Sequence, residues 1–277
     1  AINPMATAIK CAWRVTTVSP NYLKELEQQS NGLELLLQHE QHKCTGILNG
    51  IDAQVWDPEA DPFIAARLNG KLDAFKIANK QALAKHFKLD PKLPWITFIG
   101  RLVGEKGADL LPGLVSRALH NGLQAAFAVL GAGDPGLQDA LRQLSYRFPG
   151  RFDAALEYNE GLAHQLYAGS DFIFMPSRVE PCGLNQLYAM RYGTIPIVRA
   201  VGGLADTVPD IGEPNDQGRG IRFTHFDLDD ANLALYRAVQ CYHNPEVLAE
   251  VRERIAALDF SWEKAAAEYI DIYDQMI

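Results

Sequence analysis

Short apolar runs alternate with amphipathic stretches through the middle of the chain. The apolar runs are rich in β-branched and aromatic residues, as buried strands are, and comprise Val15–Val18, Trp95–Ile99, Ala125–Leu130, Phe172–Met175 and Ile195–Val198. The amphipathic stretches have helical spacing and comprise Leu110–His120, Gly136–Phe148, Leu162–Ala168 and Asn185–Tyr192. This alternation predicts an α/β fold in which helices cover both faces of a parallel sheet. A ligand of such a sheet binds where strand carboxyl ends lead into loops.

The two ends of the chain follow other patterns. Residues 1–48 contain one clear strand, then Ser19-Pro20 as a helix start and a polar stretch, too little to bury a core alone. After Asp227 the pattern is helical to the end, and Ser261–Ile277 keeps its apolar residues on one broad face.

Charge and composition exclude several classes of partner. The net charge is −8 and basic runs are absent from the sequence, which argues against nucleic acid as a partner. The sequence also lacks the run of about 18 apolar residues that a membrane span needs, and a signal peptide is not indicated. A small phosphorylated ligand or a neutral polysaccharide remains compatible with this composition.

Cysteine and histidine positions indicate neither a disulfide framework nor a metal site. The four cysteines lack metal-binding spacing, which favours reduced thiols in a cytosol-like compartment. The seven histidines are scattered. His164, on a predicted helix, is better explained by helix packing than by catalysis, and His39-x-x-His42 lacks a third ligand nearby.

Two loops that follow predicted strands combine cations, a carboxylate and glycines. Arg101 and Lys106 project from the loop after Trp95–Ile99, where two cations before a helix suit a diphosphate. In the loop after Phe172–Met175, Glu180 can accept hydrogen bonds from sugar hydroxyls. The residues that would offer backbone N–H groups to phosphate there are Gly183, Leu184 and Asn185. The structural alternatives are solvated loop cations, a turn at Glu180 and a helix cap at Asn185.

Two further glycine clusters are weaker signals. Gly131-x-Gly133-x-x-Gly136 fits a dinucleotide-binding pattern, but Pro135 removes a donor and Asp134 would repel a pyrophosphate. We therefore reject an NAD-linked oxidoreductase. The paired Gly202-Gly203 would allow a ligand to approach the backbone closely.

Several strings together resemble the bacterial glycogen synthases and plant starch synthases that use ADP-glucose. They are Thr17-Val-Ser-Pro20, Gly46-Ile-Leu-Asn-Gly-Ile-Asp52, Gly100-Arg-Leu-Val-Gly-Glu-Lys-Gly107, Leu130-Gly-Ala-Gly-Asp134, Pro176-Ser-Arg-Val-Glu-Pro-Cys-Gly-Leu-Asn-Gln-Leu-Tyr188, Arg191-Tyr-Gly-Thr194, Gly202-Gly-Leu-Ala-Asp-Thr207 and Asp259-Phe-Ser-Trp262. The Glu-Pro-Cys-Gly-Leu-x-Gln-Leu-Tyr string is highly specific, because related glycosyltransferases usually carry a second Glu where this chain has Tyr188.

The resemblance implies retaining transfer of glucose from ADP-glucose to the non-reducing end of an α-1,4-glucan, without a metal or other cofactor. It assigns Arg101 and Lys106 to the donor diphosphate and Glu180 to the donor glucose. It implies that the substrate-binding residues are Asn49 at a hinge, Tyr158 near adenine, Cys182, Gly183, Leu184, Asn185 and Gly203. A cytoplasmic location, or a plastid in a plant, is expected.

The family's two-lobe GT-B fold implies how this chain divides. Residues 1–48 correspond to a remnant of the N-terminal lobe, residues 49–258 to a C-terminal Rossmann-like lobe, and residues 259–277 to a helix that crosses back. The Lys-x-Gly-Gly-Leu loop and the His of the family's first lobe are not found. We therefore expect a truncated chain that binds ADP weakly and has little or no synthase activity. Two alternatives stay open, a transferase that uses UDP-glucose and a non-catalytic glucan-binding module.

Overall fold

A computed structural model describes residues 3–214 and 217–276 of the protein. The strands are β1 (Val15–Thr17), β2 (Cys44–Gly46), β3 (Trp95–Ile99), β4 (Ala126–Leu130), β5 (Phe152–Ala155), β6 (Phe172–Met175), β7 (Ile195–Arg199) and β8 (Ile221–Phe223). The α-helices are α1 (Pro4–Cys11), α2 (Pro20–Leu26), α3 (Glu34–His39), α4 (Leu72–His86), α5 (Leu111–His120), α6 (Pro135–Arg147), α7 (Glu160–Gly169), α8 (Asn185–Arg191), α9 (Gly202–Thr207), α10 (Leu228–Tyr242), α11 (Pro245–Ala256) and α12 (Trp262–Asp274).

Within the described residues, one sheet contains six parallel strands in the order β5-β4-β3-β6-β7-β8. Ile96 of β3 lies opposite Phe127 of β4 on one side and Phe172 of β6 on the other. The chain order therefore reverses between β3 and β6. Loops that leave two such strands diverge and open a crevice at their carboxyl ends. The two loops rich in candidate residues follow these same two strands.

Helices cover both faces of this sheet. On one face, Ala126, Ala128 and Leu130 of β4 pack with residues of α4 and α7. On the other face, the alternating residues Phe127 and Val129 pack in a larger cluster with α5 and α6. Because side chains of a strand alternate between faces, a strand that is apolar throughout needs a cover on each. The predicted α/β fold is confirmed.

One long helix and two edge strands were not predicted. Helix α4 buries Lys76, Asn79 and Lys80, so its buried face does not have the apolar spacing that identifies a helix. The Lys76 ammonium donates to the carbonyls of Tyr167 and Tyr192 and to the Thr194 hydroxyl. Strands β5 and β8 form the two sheet edges, and short, partly exposed strands carry a weak apolar signal.

The N-terminal segment has its own small sheet and contacts the main sheet's loops. β1 and β2 pair in parallel. The Ser19 hydroxyl donates to the Pro181 carbonyl at 2.6 Å, and the Asn21 backbone N–H donates to the Asp206 carboxylate at 2.9 Å. These bonds hold α2 against α9 and the loop after β6.

The C-terminal helix is confirmed over Trp262–Asp274, whereas Ile277 lies outside the described residues. Next to it, the Ile51 backbone N–H donates to the Phe260 carbonyl at 2.8 Å. The boundaries expected at residues 48 and 258 stay predictions. Across residues 3–214 and 217–276, we find no helix with both the length and the apolar character needed to cross a membrane.

Candidate functional site

Two adjoining cavities open at the carboxyl ends of β3 and β6. The first, called the loop cavity here, has a volume of about 450 Å³ and is lined by Asn49, Arg101, Lys106, Ser177, Glu180, Cys182, Gly183, Leu184 and Asn185, among others. The second, called the aromatic cavity, has a volume of about 410 Å³ and is lined by Trp56, Tyr158, Tyr167 and Tyr188, among others. Ile99, Gly100, Arg101 and Asn185 line both cavities. One extended ligand could therefore occupy both.

The loops after β3 and β6 are tied to each other. A Cβ atom at Gly107, where φ is +69°, would lie 2.0 Å from the Pro176 carbonyl oxygen, so only glycine permits this contact. The Arg178 backbone N–H donates to the Glu105 carbonyl at 2.9 Å. The Arg178 guanidinium also binds Asp109 in a bidentate pair and holds the pKa of that carboxyl below its ordinary value. These contacts fix the first loop against the second.

This arrangement places Lys106 directly against Glu180. The Lys106 ammonium donates to both carboxylate oxygens of Glu180, at 2.7 Å and 2.8 Å. Glu180 is buried, and its Oε2 also accepts a hydrogen bond from the Ser177 hydroxyl at 2.9 Å. The Lys106 side chain keeps 28% of its surface exposed, on the cavity side. A ligand phosphate can therefore reach the ammonium without displacing the core.

Arg101 differs from Lys106 because its guanidinium extends into solvent. Its side chain is 66% exposed and, within the described part of the chain, has one weak partner, the Glu105 carboxylate at 3.4 Å. Two short 3₁₀ turns, Gly104–Lys106 and Ala108–Leu110, separate these cations from α5. The predicted start of this helix at Leu110 agrees with the structure to within one residue, because α5 begins at Leu111. The two cations rather than a helix terminus supply the positive charge here.

The segment Cys182–Asn185 lines the floor of the loop cavity. Burial raises the pKa of the Cys182 thiol, and a hydrogen bond from the Asn49 backbone N–H partly opposes this shift. A thiol with a raised pKa is a poor nucleophile at neutral pH, so Cys182 contributes shape rather than reactivity. The Asn185 side chain donates to the Ile99 carbonyl at 2.7 Å and so connects the floor to the end of β3.

Aromatic rings form the wall of the second cavity. The Trp56 ring stacks on Tyr188 at 3.8 Å and on His164 at 3.9 Å, and His164 Nδ1 lies 2.6 Å from an Asp61 carboxylate oxygen. His164 is completely buried and has the packing role that the sequence favours. Tyr158 lines the same cavity but is 88% exposed, which leaves its ring face free to stack on a ligand.

Gly203 occupies a different position from the other candidates. As far as the chain is described, it is not part of the lining of either cavity. Its backbone N–H donates to the Glu180 carbonyl at 3.0 Å, and a Cβ atom there would lie 2.0 Å from the Cys182 carbonyl oxygen. The structure therefore places Gly203 behind the loop of Glu180, where it allows two backbones to pack closely.

The dinucleotide-like glycines also serve backbone packing. A Cβ atom at Gly131 would lie 1.9 Å from the Gly100 carbonyl oxygen, and one at Gly133 would lie 2.4 Å from that of Leu102. The Asp134 side chain accepts from the Leu137 backbone N–H and caps α6. The rejection of a dinucleotide fingerprint agrees with this geometry. The described part of the chain also contains no group of three or more His, Cys, Asp or Glu residues arranged to hold a metal ion.

Comparison with known proteins identifies the family. A family model described as glycosyl transferases group 1 matches residues 79–241. The chain belongs to this family. A second model, described as starch synthase catalytic domain, matches residues 1–39.

Similar proteins from other organisms are named as glycogen or starch synthases. Glycogen synthase of Flavobacterium johnsoniae is 47% identical over 100% of this chain and 58% of its own length. Glycogen synthase 2 of Nitrosococcus oceani is 42% identical over 95% of this chain and 55% of its own. The catalytic domain of starch synthase IV from Arabidopsis thaliana, solved with ADP and acarbose bound, superposes with a TM-score of 0.90. It is 36% identical, and the match covers 99% of this chain and 58% of that one.

These matches confirm the resemblance to glycogen and starch synthases. The chain spans 55% to 58% of the length of the two curated relatives. The activity of the whole protein is therefore a matter for proposal.

Sequence reasoning missed three residues that support the candidate site. Ser177 donates to the Glu180 carboxylate, and the sequence signal for this contact is weak, namely that both residues lie in one short loop after β6. The buried Gln186 amide donates to the carbonyls of Cys182 and Gly183. Ser19 donates to Pro181 from a distant part of the chain, and no local signal reveals such a contact.

Proposed function

We propose that this chain is the donor-binding half of a glycogen or starch synthase. In this function it holds ADP-glucose while glucose passes, with retention of configuration, to the non-reducing end of an α-1,4-glucan. The observation that carries the proposal is the meeting of Arg101, Lys106 and Glu180 at one cavity. The relatives, all named as glycogen or starch synthases, support it. The four cysteines are unpaired, which supports a reducing compartment such as the cytoplasm.

The two cations suit the chemistry of the leaving group. As the bond between glucose and the diphosphate breaks, negative charge grows on the departing ADP. Lys106 and Arg101 lie on one loop at the cavity mouth and can hold that charge without proton transfer. Donors aimed at such developing charge contribute about 2.7 to 4 kcal/mol each in well-studied enzymes. No bound metal or other cofactor is proposed.

The Glu180 carboxylate is suited to bind the hydroxyl groups of the donor glucose. Glu180 is buried beside Lys106 and Ser177, so its oxygens can accept hydrogen bonds from glucose hydroxyls only in a defined orientation. Asn49 and the Cys182–Asn185 floor complete the enclosure. The acceptor glucan and a first lobe that covers the cavity belong to the same proposal.

Tyr158→Ala is expected to weaken ADP binding by about 3- to 10-fold, because an aromatic face contributes roughly 1 kcal/mol when a base stacks on it. The exposed ring at the rim of the aromatic cavity is the basis for this expectation. Isothermal titration calorimetry with ADP measures the change. Tyr146→Ala is the matched control, since Tyr146 is similarly exposed at 86% and lines neither of these cavities. Equal affinities for both variants would remove Tyr158 from the base site.

The donor itself is tested by titration with ADP-glucose and UDP-glucose in parallel. The proposal expects the adenine donor to bind at least about 10-fold more tightly, since the aromatic cavity offers rings to a purine. Tighter binding of UDP-glucose would favour the other transferase. Sedimentation with glycogen but no binding of either nucleotide sugar would favour a non-catalytic module.

A further inference from the structure

Among the described residues, two groups bind the carboxylate of Glu180, and they differ in how far their side chains can move. Lys106 binds both oxygens from the cavity mouth and is partly exposed. Ser177 binds only Oε2, at 2.9 Å, and is 2% exposed. The hydroxyl is therefore a fixed part of the cavity wall, whereas the ammonium can turn toward a ligand.

The backbone that carries Ser177 and Glu180 is anchored from behind. The Arg199 guanidinium at the end of β7 donates to the carbonyls of Ser177 and Arg178, at 3.2 Å and 3.3 Å. The Gly203 N–H holds the Glu180 carbonyl on the other side. The positions of both Cα atoms are thus set by β7 and α9. The remaining freedom of Glu180 is the rotation of its own side chain.

Donor binding changes which of the two groups, Lys106 or Ser177, binds the Glu180 carboxylate. Under the proposed function the diphosphate competes with Glu180 for Lys106, because both are anions within reach of one ammonium. As Lys106 turns to the diphosphate, the Ser177 hydroxyl stays bound to Oε2 of Glu180. A buried carboxylate that loses a partner without replacement is costly, so the hydroxyl determines how the carboxylate faces the sugar.

We propose that Ser177 is a positioning residue that fixes Glu180 for the donor sugar, a step that rests on the proposed function. Its hydroxyl keeps Oε2 turned toward the loop. Oε1, which Lys106 releases, then faces the cavity and accepts a hydrogen bond from a glucose hydroxyl. Ser177 acts through Glu180 and does not itself contact the transferred group.

Ser177→Ala tests this assignment because it should weaken binding of the donor sugar without weakening binding of the nucleotide. Calorimetric titration of the chain with ADP and with ADP-glucose gives two affinities. We expect the variant to keep its ADP affinity within about twofold and to lose about 5- to 10-fold in ADP-glucose affinity, the effect of one hydrogen bond. Ser177→Cys, which keeps the volume but donates weakly, should show the same selective loss. Thermal melting of both variants identifies any that fail to fold.

A double-mutant cycle with Glu180→Ala distinguishes positioning from a general structural role. If Ser177 acts through Glu180, Ser177→Ala has no further effect on ADP-glucose affinity in the Glu180→Ala background. The assignment is overturned by unchanged ADP-glucose affinity in folded Ser177 variants, by equal losses for ADP and ADP-glucose, or by additive effects in the cycle. A wild-type chain that binds neither ADP nor ADP-glucose would overturn the proposed function as well. If the wild-type chain binds both ligands, one of the outcomes above would overturn the role of Ser177 alone.

Discussion

Lys106→Ala is expected to weaken ADP binding by about 30- to 100-fold, because it removes a charge-assisted hydrogen bond to the diphosphate. The loss is larger than for an exposed cation for a second reason. Without the ammonium, the buried Glu180 carboxylate at the same cavity has no cation beside it and repels the incoming phosphates. Isothermal titration calorimetry at fixed ionic strength measures the change.

Two further variants calibrate this result. Arg101→Ala should cost about 10-fold, because its guanidinium is largely exposed and water screens its charge. Lys85→Ala removes an equal charge from an exposed position at the end of α4 and should leave ADP affinity unchanged. If Lys106→Ala and Arg101→Ala both bind ADP as tightly as the wild type, the diphosphate assignment is wrong.

Gly203→Ala is expected to destabilise the fold by about 3 kcal/mol or more, since its Cβ would overlap the Cys182 carbonyl and force two backbones apart. For a chain of this size the melting temperature should fall by roughly 6 to 12 °C. ADP-glucose affinity should fall too, because the displaced segment carries Glu180 and the cavity floor. Differential scanning calorimetry and ligand titration report the two effects separately.

Gly113→Ala is the matched control for this prediction. A Cβ atom at Gly113 meets the nearest side-chain atom at 3.6 Å, an ordinary contact. Gly113 lies in α5, where alanine is favoured over glycine, so the melting temperature should stay the same or rise slightly. A Gly203→Ala protein as stable as the wild type would contradict the packing role given to Gly203.

The sheet could be predicted because its strands are buried on both faces. Phe172–Met175 is apolar throughout and Trp95–Ile99 is apolar except for Thr97, and the bounds of both agree with the structure. The two loops that follow them were the strongest functional candidates, and they flank the point where strand order reverses. The strands and the position of the two loops therefore follow from the local sequence pattern and from the geometry of parallel sheets.

The contacts inside the site could not be predicted, because they depend on tertiary packing. The ion pair of Lys106 with Glu180 exists because Gly107 fits against Pro176, two positions far apart in sequence. The paired glycines at 202 and 203 look the same in sequence whether they approach a ligand or another backbone. Helix α4 was missed since its lysines are buried by hydrogen bonds to carbonyls that sequence does not reveal.

The most direct test of the central claim is a crystal structure of this chain with ADP. Our account predicts the diphosphate between Arg101 and Lys106, the Lys106 ammonium turned from Glu180 toward phosphate, and the adenine in the aromatic cavity beside Tyr158. Ser177 should still bind Glu180. ADP bound elsewhere, or a Lys106–Glu180 pair left intact beside two empty cavities at saturating ADP, would contradict it.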